Sequence, residues 1–128
     1  MKILGFFIAE DVLIDQRTNK MSLINVFDNT VANRFPLFIP GLNMVVFSEK
    51  EDGDNDSNII HFVIKLDSRV LFEADANMIF TASSNRNRCI LTIGGLLIPE
   101  PGVLEIQALL NGNVIGTYIT EIIFKNKE

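Results

Sequence analysis

Three aspartates at alternate positions, Asp52, Asp54 and Asp56, lie in the polar run Glu49 to Asn58 and copy the spacing of the first three ligands of a calcium loop. Hard cations take such oxygens, so loop 49–58 is a candidate calcium or small-ligand site. The pattern then breaks. Ser57 stands where an EF-hand places its turn glycine, and Val63 where it places the bidentate glutamate. Carboxylates from a second loop would have to complete the set, and Ser83 to Arg88 brings Arg86 and Arg88 instead. The competing reading is a solvated loop whose charge discourages edge-to-edge pairing of sheets.

The two arginines of Ser83–Arg88 can converge on a phosphate or carboxylate, although arginines in a turn of an acidic chain more commonly meet neighbouring carboxylates. His61 and Cys89, each the only one of its kind, would have to meet in space to form a nucleophile and base, and they are too few for structural zinc. Alternation puts His61 on the wetter face of its strand and Cys89 on the face of Leu91 and Ile93, so Cys89 reads as a core residue. Glu10 and Asp11 are neighbours that point to opposite faces of a strand, and the pair is expected to flank a turn. Gly94-Gly95 lacks the Lys-Ser/Thr and the helix of a phosphate loop, and marks a bulge or a close backbone approach. Phe35 and Phe38 stand among Pro36, Pro40 and Gly41, where large apolar groups on a proline-bound edge suit a partner-binding patch.

The elements that must position these groups are strands. Apolar runs of five to ten residues recur between polar or Gly/Pro breaks, with no sustained three-four spacing. Ile3 to Ala9 forms the first run, followed by a polar connection from Asp11 to Lys20. Met21 to Phe27 is the second, with Ile24 and Val26 facing inward. Phe35 to Gly41 crosses between sheets or lies along an edge, because proline lacks the amide proton that a ladder needs. Leu42 to Ser48 resumes as a strand. Ile60, Phe62, Ile64 and Leu66 share one face against His61 and Lys65, the pattern of a strand with one wet side. Val70, Phe72, Ala74 and Ala76 continue the theme, and a short helical turn fits Met78 to Ser84. Cys89 to Ile93 is a further strand. Asn111-Gly112 joins Val103–Leu110 to the run after Asn113, the strongest short-range signal for a hairpin. About eight strands are expected, in an all-β, antiparallel two-layer sandwich of immunoglobulin-like or C2-like architecture spanning residues 1–128 as a single domain.

The segment from Ala9 to Phe47 contains Glu10-Asp11 before a hydrophobic residue, an Asp15-Gln16 turn, Ser22-Leu23-Ile24-Asn25 and Phe35-Pro36. In this it resembles a family of small bacterial proteins of unknown function, and the Pro99-Glu100-Pro101-Gly102 hairpin entry is similar to that family's ending. The motifs are turns, strand starts and sheet crossings, so the resemblance implies the sandwich and brings no activity or functional residues. Where family members carry a cysteine before the acidic pair, this chain has Ala9, which argues against a reactive thiol there.

With 128 residues the chain buries enough surface to fold without metal or disulfide, and a single cysteine suits a reducing compartment, so a cytoplasmic location is expected. A net charge of −5 and the lack of a basic block argue against nucleic acid and anionic membrane surfaces. No run approaches the ~20 apolar residues of a membrane span. The ten phenylalanines lie mostly in apolar runs, and with no Trp and one Tyr the chain lacks the flat exposed aromatics that carbohydrate binding uses. Hydrophobic content of 48% exceeds what one small core absorbs, which suggests self-association. The expectation is a non-catalytic interaction or assembly module, acting through a sheet edge or the Phe35 to Gly41 segment as a homo-oligomer or with a protein partner, with no cofactor. The alternative is a calcium or small-ligand sandwich using loop 49–58.

Overall fold

The computed structural model describes residues 1–126, which form eleven strands and no helix. Lys127 and Glu128, the end of the expected 1–128 span, lie outside the described residues. The strands are β1 (Lys2–Ile14), β2 (Met21–Val26), β3 (Asn29–Ala32), β4 (Leu37–Ile39), β5 (Leu42–Glu49), β6 (Ser57–Leu66), β7 (Arg69–Ile79), β8 (Arg86–Ile93), β9 (Leu96–Ile98), β10 (Gly102–Leu110) and β11 (Asn113–Phe124). One sheet has the order β2-β1-β5-β8 and the other β3-β11-β10-β6-β7, while β4 and β9 form a separate ribbon. All pairings are antiparallel except that of β3 with β11, which is parallel.

The two larger sheets form a β-sandwich whose alternating inner residues make one core. Ile8, Met44, Val46 and Cys89 of the first sheet face Ile60, Phe62, Ile64, Ile106 and Ile122 of the second. Phe6 spans the gap, its ring 6.2 Å from that of Phe62 and 6.4 Å from that of Tyr118. Gly116 makes room for it, since an added Cβ would sit 3.1 Å from Phe6 Cδ2. Complete burial of Phe62 contributes about 2–3 kcal/mol of apolar transfer. The chain passes from the first sheet to the second at Phe27-Asp28, where the Tyr118 and Thr120 hydroxyls donate to the Phe27 and Asp28 carbonyls.

The β1–β2 hairpin departs from the local reading. Residues 11–14 belong to β1, and only Asp15 to Lys20 turns, with Asp15 Oδ1 accepting the Arg17 and Thr18 amides at 2.8 and 3.0 Å. At the tip, Arg88 donates to the carbonyl and to Oδ1 of Asn19 at 3.1 and 3.0 Å. Arg88 pairs with Phe47, which pairs with Gly5. A straight β1 would carry Ile14 about 30 Å beyond Gly5, at ~3.3 Å per residue, so the hairpin must turn back over the outer face of the first sheet. Val45, on that outer face, is accordingly fully buried. The turn back begins at Glu10, whose carbonyl accepts from Asn43 Nδ2 at 2.9 Å, while Thr92 Oγ1 donates to Asn43 Oδ1 at 2.6 Å.

This bend reverses the expected facing of β2. Met21 and Leu23 are half-buried, whereas Ile24 and Val26 are exposed. Asn25 has a φ of 55° and its Nδ2 donates to Glu10 Oε2 at 2.9 Å, so the strand is distorted where alternation would have to hold. Met78 to Ser84 contains no helical turn: β7 runs to Ile79, and a tight turn follows with a bridge between Thr81 and Ser84.

Candidate functional site

The proline-bound segment builds a small ribbon on the side of the sandwich. Pro36 and Pro40 lack amide protons and confine the strand to Leu37–Ile39, while Leu96–Ile98 is bracketed by Pro99, which also lacks one, and by Gly95, which has no side chain to pack. The two strands pair as Leu37 with Ile98, Phe38 with Leu97 and Ile39 with Leu96. Alternation then sorts the side chains. Ile39, Leu96 and Ile98 enter the core, and the central pair Phe38 and Leu97 points outward, 60% and 55% exposed.

Phe35 and Phe38 therefore separate in role. Phe35, which precedes a cis bond to Pro36, is half-buried against the core with its ring 6.4 Å from that of Phe124. Phe38 lies on Gly95, where an added Cβ would be 2.9 Å from both Cε2 and Cζ of the ring. Beside Phe38 opens a groove of about 630 Å³ whose lining includes the apolar Val31, Leu37 and Phe38 and the cationic Arg34 and Lys125. Val31 is 57% exposed and sits on β3, the end strand of the second sheet.

A model described as a family of unknown function, DUF6941, matches residues 4–122. The chain belongs to this family. No curated protein matches it. The DUF6941 span contains the β4–β9 ribbon, Arg34 and Gly95, whereas Lys125 lies just beyond it.

Asp54 meets the amino terminus at 2.7 Å and accepts the Glu51 amide at 2.9 Å, which lowers its pKa, the bond to the amino group contributing most. Asp56 meets Lys50 Nζ at 2.5 Å, and Asp52 is exposed. Asp54 and Asp56 thus have different partners and Asp52 faces solvent, so the three do not converge. Among the described residues no three His, Cys, Asp or Glu side chains gather as a metal site requires. Arg88 is spent on Asn19, and Arg86 Nε lies 3.5 Å from Glu49 Oε1, so both arginines of Ser83–Arg88 have intramolecular partners.

His61 and Cys89 are not brought together. Cys89 is on the inner face of the first sheet, where burial pushes its thiol up to about 11. His61 is on the outer face of the second, with Nδ1 2.6 Å from Asp75 Oδ1 and Nε2 3.2 Å from Glu73 Oε2. These two carboxylates, Asp75 first, raise the imidazole above its ordinary value. Glu10 and Asp11 flank no turn: they lie within β1, where it leaves β5, and border a recess of about 300 Å³ with Ile39, Pro40 and Gly41. Leu97 is the residue that spacing missed. It reads as an approach to the last hairpin, and its only signal is a position two residues after Gly95 and two before Pro99.

Proposed function

We propose that this domain is a non-catalytic interaction module that engages a protein partner through the face made by Phe38 and Leu97. The observation that carries the reading is the pairing of these two large apolar side chains outward, on a ribbon whose other residues are anchored in the core. Aromatic anchors dominate the energy of interfaces, and the contact of the Phe38 ring with Gly95 gives it one resting position at the surface. Val31 and the groove beside Phe38 extend the same face. The chemistry available elsewhere favours no reaction: the imidazole is clamped by two carboxylates and the thiol is buried in its neutral form.

A photo-crosslinking residue placed at position 38, compared with one at Thr117 on the outer face of the second sheet, tests the reading in source cells. It expects a discrete adduct with another protein from position 38 and none from 117. Equal, diffuse labelling from both would contradict it.

A further inference from the structure

We infer that the groove beside Phe38 receives an extended segment of a partner protein in which a large apolar side chain stands next to carboxylates; this rests on the reading of the Phe38 face as a partner surface. Val31, Leu37 and Phe38 give the groove an apolar lining that suits an inserted apolar side chain. Arg34 and Lys125, also in the lining, add positive charge. Among the described residues neither is ion-paired, as is also true of Lys2, Arg17, Lys20, Lys65 and Arg88, but only these two cations meet at the groove. In a protein of net charge −5 the groove is a local reversal of sign, and it complements an acidic ligand.

Shape and backbone argue for a chain segment over a small anion. A small-molecule site encloses most of its ligand, whereas this groove lies open along the surface, as a segment lying across it requires. β3 ends the second sheet, so its backbone on the side away from β11 has no strand partner among the described residues. Val31 and Ala32 of β3 line the groove, so a segment added to the free edge of β3 would run close to it.

The test is selection of displayed random 12-residue peptides on the intact protein, followed by anisotropy titration of the enriched peptides. Enriched sequences should combine an aromatic or large aliphatic residue with Asp or Glu. Their affinity should fall about tenfold or more in R34E/K125E and drop steeply as salt is raised, the mark of opposed charges near a surface. Circular dichroism checks that the variant is folded, and R34Q with K125Q replaces it where it is not. Enriched peptides that lack acids, or that bind R34E/K125E unchanged but lose F38S, would overturn the acidic-segment inference and leave the Phe38 face standing. Peptides indifferent to F38S as well would overturn both. A wild-type dimer in sedimentation that F38S dissociates would make a second copy the occupant and overturn the inference.

Discussion

The ring of Phe38 rests on the Cα of Gly95, at a distance where a methyl group on Gly95 would lie 2.9 Å from Cε2 and Cζ. Gly95 has no positive φ, so glycine is required there for space and not for backbone conformation. The contact fixes where the most exposed aromatic of the ribbon points. Gly95→Ala should therefore displace the ring, which is free to swing into solvent, and change stability by about 1 kcal/mol or less while weakening capture of a partner. Thermal unfolding and affinity capture, done on the same preparation, check both parts; a large loss of stability would show the ring to be locked in place.

Gly102 presents the opposite case. A Cβ there would come within 2.9 Å of Asp67 Cγ, and that carboxylate is held by the Val103 amide at 3.0 Å while the Asp67 amide donates to the Val103 carbonyl at 3.0 Å. Asp67 and Ser68 form the β6–β7 turn with φ of 45° and 72°, so the backbone cannot readily yield. Gly102→Ala should cost about 1–3 kcal/mol in urea unfolding. In an Asp67→Ala background the cost should shrink, and a purely additive double mutant would disprove the clash.

His61 makes stability depend on pH with a definite sign. Its folded pKa is raised above the ordinary 6.5 by Asp75 and Glu73, so the imidazolium's contribution is fully present below 6.5 and is lost as pH climbs through the raised value. The amino terminus, raised above 8.0 by Asp54 and Glu51, adds a second loss at still higher pH. Comparison of wild type with His61→Gln isolates the first. The difference in stability should narrow as pH rises from 6.5, and an imidazole NMR titration should have its midpoint above 6.5; a midpoint at or below that value would refute the clamp.

Cys89 should resist alkylation at pH 8 in the native protein and react fully in denaturant, because its thiol is buried and raised to about 11. Mass spectrometry after a timed iodoacetamide pulse distinguishes the two. Rapid native labelling would mean that the first sheet opens at β8, its end strand.

The parts of the fold that were legible in the residues are those fixed by local pattern. Asn111-Gly112 turns with φ of 52° and 80°, as two residues that tolerate positive φ allow, and the alternation of Ile60 to Leu66 places that strand's core face and His61's wet face correctly. What was illegible depends on distant partners. β3, β4 and β9 have only four, three and three residues, too few for a period, and exist because β11 pairs with β3 and β4 with β9. The hairpin's turn back depends on Asn43 capturing Glu10 and Arg88 capturing Asn19 across 33 and 69 residues. Spacing does not say which of Phe35 and Phe38 the core takes; Phe35 packs against the buried cluster, with Phe124 from the far end of the chain beside it.

Affinity capture from source-cell lysate with the wild-type protein and with Phe38→Asp, quantified by mass spectrometry at matched thermal stability, bears most directly on the Phe38 face. A stoichiometric partner recovered by the wild type and lost with Phe38→Asp is the predicted result. Recovery of the same partner in equal amount by both proteins would contradict it and move the interface elsewhere on the sandwich.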